Sequence, residues 1–562
     1  ARHDLSRHLK LELVRVGLIL PIQGVLPLSL FVLLRRLVWP QEGAPRDTSS
    51  VSWLRWLLMR TGRQLLRAWA TSEVWFAVFY FIRRRALSNR TPAPKPPQST
   101  AERLALFERC LDVYIDREVG SSAMLLGRGP SLAAELSQKG LSSAELHRTA
   151  SLQAVPALAA AKERLGKKSM SMEHMLRMWD DQDDLESVAS DPQEPVEVRS
   201  LVLKRASLSG WFLGADCANI HRGNAEQWVA WSFLMKRPEE LSEEDRAEVG
   251  NLVDRIAKWA DLELEPGFNA AVRCIRIDFD PIPSAYRPLC YYGVTAGLLP
   301  LANDMLMRRY GFEKFWSGCL EYWHKPPSGT EDGPPVVFCH GLGIGVANYA
   351  VMLTELCERA KRRRLFFVSL PHIAQRCIET QASPREFVMS VSELLTAHRC
   401  PPEGVHFVGH SFGTFVCGWV MRFQPSLACR LTLLDPVCLL LCKHDVAHAI
   451  LYKEPANFGE LLMQWFVGKE LYTAHTLTRR IFWQDNILWP EQITCPVTVV
   501  LSSEDHIVPV HSIRLYLSSW RAENEEARLD LVWLKGLPHA GFLAKAEARV
   551  HIIKRILDLP PL

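Results

Sequence analysis

The sequence predicts an α/β protein, in which a mostly parallel sheet covered on both faces by helices fills the C-terminal half and follows a helical, membrane-associated extension. Three observations carry that expectation. From about residue 270 onward, short β-rich runs alternate with helical stretches, the pattern of a buried parallel sheet. Residues 404–418, GVHFVGHSFGTFVCG, set a serine between two glycines where a strand-like run stops and a helix-like run begins. The first 100 residues hold 16 Lys/Arg against 5 Asp/Glu, interleaved with long apolar runs.

The N-terminal extension comes first in the chain. Of 562 residues, 48% are apolar and 23% charged, the composition of an ordinary folding chain. The first residue is Ala1, so a processed or truncated start is expected. The net charge of +4 divides into +11 over residues 1–100 and therefore −7 over the remainder. Basic charge set among Trp and Leu points to a membrane surface and not to nucleic acid, whose ligands interleave polar residues. Residues 16–34 carry no charge and are bounded by Arg15 and by Arg35–Arg36. At about 1.5 Å per residue this run can cross a hydrocarbon core of about 30 Å, as a span or, given its two prolines, as a monotopic hairpin or interfacial helix. A signal peptide fits less well, because no small-residue cleavage site follows.

Residues 53–67 alternate Arg with Trp and Leu, as an interfacial helix does. Residues 68–82 are apolar except for Glu73, and read as a second membrane segment or a buried helix. The anchoring segment is thus expected over 1–90, a Pro-rich linker over 91–100, and a mostly helical region over 101–265. The acidic cluster at 180–186 lacks the glycine and distal glutamate of a calcium loop and is read as a solvated loop. The 14 cysteines form no CxxC pair and sit partly inside apolar runs, so they are read as reduced thiols, not metal ligands. The expected location is an intracellular membrane with a cytosol-facing catalytic body.

The sheet follows, over 266–562. Its expected strands are VRCIRIDF (272–279), PVVFCHG (335–341), RLFFVSL (364–370), VHFVG (405–409), RLTLLDPV (430–437), VTVVLSS (497–503) and RLDLVWLKG (528–536). Helical segments such as 346–363 and 384–399 separate most of them.

The chemistry starts at Ser411. Gly409 and Gly413 allow a sharp strand-to-helix turn, and the helix N-terminus behind it favours developing negative charge. A serine hydroxyl needs a base, and the base an orienting acid. SSEDHIVP and GLPHAGF follow the last two strand-like runs and offer Asp505 and His539. This chain order and placement resemble the α/β-hydrolase fold over about residues 270–560. The resemblance implies Ser411 as nucleophile, Asp505 as acid and His539 as general base. PVVFCHGLGIG (335–345) is similar to the family's His-Gly loop, which implies oxyanion donors at the amides of Leu342 and Phe412, with His340, Gly341, Gly409, His410 and Gly413 as supporting residues. Asp435, after the preceding strand, is the alternative acid, an arrangement resembling that of some lipases of this fold. His506 adjoins the acid and His551 falls in an apparent final helix, so both are poor rivals for the base.

A serine nucleophile means acyl transfer, and it separates the chain from epoxide hydrolases and dehalogenases of this fold, which use aspartate. No His-x₄-Asp is present, so an acyltransferase side activity tied to that motif is not expected. The aromatic segment at about 438–496 lies where the family inserts a helical lid. Residues 200–320 loosely resemble membrane-associated members of the family from eukaryotic microbes. The expected function is a membrane-associated, lipase- or esterase-like serine hydrolase of a hydrophobic or lipid ester, with no cofactor and no metal. A thioesterase, amidase or lipid acyltransferase using the same triad, or an inactive hydrolase-fold binding module, is the alternative.

Overall fold

The computed structural model describes residues 15–38, 50–89, 98–125 and 196–557. Most of the expected linker and the whole acidic cluster at 180–186 lie outside the described residues.

Helix α1 (Leu20–Val38) continues a π-helical turn at Arg15–Ile19, and α2 spans Ser50–Ser88. Both contain stretches long and apolar enough to cross a membrane, Arg15–Arg35 and Trp53–Ser88. The sequence reading split α2 into an interfacial piece and a short apolar piece; they form one helix. Gly62 costs helix propensity but meets nothing within 4 Å, and no proline interrupts the run. The buried positions Ala70, Glu73, Ala77, Tyr80 and Leu87 form one helical stripe, while Trp75, Phe79 and Ile82 are exposed. That stripe packs on the body: Tyr80 meets Tyr286 edge-on and Phe76 lies against Tyr292. The Glu73 carboxylate accepts hydrogen bonds from the amides of Leu289 (2.7 Å) and Cys290 (3.2 Å), satisfying the start of the short helix Leu289–Tyr292.

Helices α3 (Thr100–Leu125), α4 (Val196–Trp211), α5 (Arg222–Val229) and α6 (Glu243–Trp259) come next. In α6 the capping box of Ser242 and Asp245 opens the helix, and Val249, Leu252, Val253 and Ile256 form its buried stripe. These helices share one buried cluster with a face of the sheet.

The sheet has eight strands: β1 (Glu313–Ser317), β2 (Leu320–Lys325), β3 (Val336–Cys339), β4 (Leu365–Ser369), β5 (Val405–His410), β6 (Ala428–Leu434), β7 (Val497–Ser502) and β8 (Leu529–Leu534). Their order is β1-β2-β4-β3-β5-β6-β7-β8; β2 runs antiparallel to β1 and β4, and every other pairing is parallel. Period-two alternation divides the core. Val337 and Cys339 of β3 face α8 (Pro384–Ala397) and α9 (Gly413–Phe423), while Val336 and Phe338 face α7 (Ala350–Arg359) and the C-terminal helix Ala546–Leu557.

Two strand assignments differ from expectation. Residues 272–279 join no strand; Ile275 donates its amide to the Trp211 carbonyl (2.8 Å), and Val272, Cys274 and Ile275 are buried against the helices instead. Their apolar alternation is satisfied by packing without a sheet partner. The hairpin β1–β2 escaped notice because its residues mix charges and aromatics; Gly318, at φ +52°, sits in its two-residue turn.

Candidate active site

The strand register places Gly409 of β5 opposite Cys339 of β3 and Leu433 of β6, so the residues following these strands converge at one edge of the sheet. Ser411 follows β5 directly and has φ +51°, a strained conformation for a non-glycine residue. Close packing of strand and helix holds it there. A Cβ on Gly409 would lie 2.6 Å from the Gly413 carbonyl oxygen, and one on Gly413 would lie 2.1 Å from that of Cys339.

His539 arrives on the loop after β8. Its Nε2 lies 3.0 Å from Ser411 Oγ, and its Nδ1 lies 2.6 Å from Asp505 Oδ2. A carboxylate only accepts, so Nδ1 carries a proton, and in the neutral ring the Nε2 lone pair faces the serine hydroxyl. Asp505, after β7, is fully buried, and its Oδ1 accepts from the amides of Ile507 (2.8 Å) and Val508 (3.1 Å). Burial would depress the His539 ring, but the Asp505 carboxylate, with the Asp435 charge behind it, outweighs burial and raises it to about 9.

The alternative acid, Asp435, is placed differently. Its Oδ1 accepts from the Ser502 amide (3.0 Å) and its Oδ2 from the Ala540 amide (2.8 Å), the residue after His539. Asp505, and not Asp435, therefore makes the hydrogen bond to the ring. Burial, and then the Asp505 charge, raise the Asp435 carboxyl to about 6. Ligand atoms of Asp435, Asp505 and His539 lie within 4.8 Å of one another, but the four carboxylate oxygens are already engaged by amides and the imidazole.

His340 and His410 lie behind the serine. The Leu370 amide donates to His340 Nε2 (2.9 Å), so Nδ1 carries the proton and donates to the Gly341 carbonyl (2.8 Å). The Tyr349 hydroxyl accepts from the Gly341 amide (2.7 Å) and donates to His410 Nδ1 (2.6 Å). Burial holds His410 neutral, pushing it well below the usual imidazole range, and His539 adds to the effect. Tyr349 thus ties the 340–345 loop to the serine corner, a link that no motif revealed.

Ser411 opens into a cavity of about 800 Å³, a volume typical of a ligand site. Leu342 and Phe412 line it, as do Ile450, Met463 and Trp483 from the 438–496 segment. Trp211 and Trp231 from the N-terminal helices close one wall; no motif marked them, because their spacing is that of ordinary core aromatics. His506 lines the cavity but is exposed and outside the hydrogen-bond chain, and His551 is exposed on the C-terminal helix.

A serine on a positive-φ corner after β5, an acid after β7 and a histidine after β8, on a sheet whose second strand alone runs against the parallel set it joins, decide the fold. The chain has an α/β-hydrolase fold. No family model matches it, and no curated protein does. Among solved α/β-hydrolase structures it is similar to a bacterial membrane phospholipase A, described as a virulence factor, at 16% identity and a TM-score of 0.34, over 48% of this chain and 92% of that one. It is also similar to the carboxylesterase CesB of Bacillus subtilis (14%, TM-score 0.32, 47% and 97%) and to the naproxen esterase of the same organism (12%, TM-score 0.35, 47% and 98%).

Proposed function

We propose that the protein is a membrane-associated serine hydrolase of hydrophobic carboxylic esters. The observation that carries this reading is the hydrogen-bond chain Ser411–His539–Asp505 at the foot of an apolar cavity. His539 Nε2 takes the Ser411 proton as Oγ attacks the ester carbonyl, and the amides of Leu342 and Phe412 receive the oxyanion. The intermediate collapses, the alcohol leaves with the proton from His539, and an acyl group remains on Ser411. Water then attacks this ester; its proton passes to His539 and on to the Ser411 oxygen, and its hydroxyl departs with the acyl group as the acid. Asp505 keeps its hydrogen bond to Nδ1, orienting the ring and stabilising the imidazolium. The apolar cavity suits a hydrocarbon chain, and the exposed apolar residues of α1 and α2 suit a bilayer.

Hydrolysis of p-nitrophenyl butyrate tests the triad. Ser411→Ala and His539→Ala should each cost about 10⁴-fold or more in kcat, and the double variant should be no worse than the singles, because the residues act as one unit. Independent, multiplying losses would contradict the assignment.

A further inference from the structure

A second cavity, of about 850 Å³, adjoins the first. Leu342, Asn348 and Met463 line both, so the second space borders the one holding Ser411 at these side chains. Three elements line it: α1 and the turn before it through Leu18, Ile22 and Val25, the helical run 289–309 through Val294 and Leu299, and the 438–496 segment through Leu462 and Phe466. Its wall is apolar apart from a few polar groups, among them Thr295, whose buried hydroxyl has no hydrogen-bond partner among the described residues.

The outer side of this cavity is equally informative. Along the run 289–309, Val294, Leu298, Leu301 and Met305 recur at helical spacing and are 48–71% exposed. Leu28 and Phe31 of α1, Leu18 in the turn before it, and Trp75, Phe79 and Ile82 of α2 are exposed as well. Exposed apolar residues thus lie on α1, on α2 and on the run 289–309, and the first two have the length and composition of membrane helices. The ordinary occupant of so large an exposed apolar surface is a hydrophobic phase.

We infer that the second cavity receives the second hydrocarbon arm of a two-tailed lipid ester, which enters sideways from the bilayer between α1 and the run 289–309. The inference rests on the serine-hydrolase reading and supplies its substrate class. With the ester carbonyl at Ser411, the acyl arm fills the first cavity. The oxyanion loop at Leu342 stands between the spaces, so the alcohol side of the ester passes it into the second. A single-chain substrate fills only one of the two spaces and forgoes the apolar burial available in the other.

The experiment compares the full-length chain, in Triton X-100 micelles, on p-nitrophenyl butyrate and on 1,2-dioleoylglycerol. Val294→Trp and Val25→Trp place bulk on two separate walls of the second cavity, one on an exposed helix face and one on α1. In both variants the ratio of dioleoylglycerol to butyrate turnover should fall about tenfold or more, the mark of a lost substrate-specific contact. A ratio unchanged from wild type in both variants overturns the inference. So does a wild-type protein that turns over butyrate but not dioleoylglycerol, which leaves the triad assignment standing. A wild type inert to both esters and to a fluorophosphonate overturns the triad assignment itself.

Discussion

At the residue scale, the site pairs one imidazole with two buried carboxylates of different duties. Asp505 holds the ring, whereas Asp435 holds the backbone on either side, through Ser502 at the end of β7 and Ala540 after His539. Both acids favour the charged imidazole, which as a general base works only when neutral. The rising limb of kcat/KM against pH should therefore have its midpoint near the ring's value of about 9. Asp435→Asn removes one of the charges that raise it, so the limb should move to lower pH. The amide would also turn a donor toward one of two backbone N–H groups, costing about 1–3 kcal/mol of stability. A pH–rate profile and a urea titration check both effects; a limb that stays put or rises would contradict this role. Ser411, Asp505 and His539, which the hydrogen-bond chain joins, could be read from the sequence because motif spacing and chain order are local to each strand end. Asp435 could be read only as a rival acid, since which carboxylate meets Nδ1 depends on loop conformations after β6, β7 and β8. Tyr349, Trp211 and Trp231 could not be read at all, because nothing in their neighbouring residues separates a site wall from ordinary core.

At the element scale, the corner depends on the near-contact of β5, β3 and α9. Gly409→Ala and Gly413→Ala would each drive a methyl into backbone atoms that cannot swing away, and each should cost about 1–3 kcal/mol or more. Gly418→Ala, on the same helix, meets Leu488 Cβ at an ordinary 3.6 Å and should cost little beyond any local repacking. Chemical unfolding of the three variants separates these cases, and equal midpoints would contradict the packing argument. The six parallel strands were legible because their apolar runs are short, rich in Val, Leu and Phe, and bounded by polar turns. The antiparallel edge was not, because EKFWS and LEYWHK face solvent in part and carry charges. Residues 272–279 show the opposite failure, a β-like pattern buried against helices.

At the scale of the whole molecule, the extension and the body are not separate parts. Composition marked residues 1–90 as membrane-seeking, but gave no hint that α2 lies along the body with Glu73 satisfying two amides of the 289–292 helix. Glu73→Ala leaves those amides unpaired at a buried contact, and should destabilise the protein by about 1–3 kcal/mol. The fall would register as a lower midpoint of thermal unfolding in detergent; an unchanged midpoint would show α2 to be a detachable anchor. Ile19 and Ile22 pack against Leu461 and Trp465 of the 438–496 segment, so that on the proposed function anchoring and substrate supply would share one surface.

In the proposed reaction Ser411 is the group that becomes acylated. Treating the full-length protein with a fluorophosphonate and mapping the adduct by peptide mass spectrometry tests it most directly. One adduct is expected, on the peptide containing Ser411, absent from Ser411→Ala and strongly slowed in His539→Ala. An adduct on another residue, or undiminished labelling of Ser411→Ala, would contradict it.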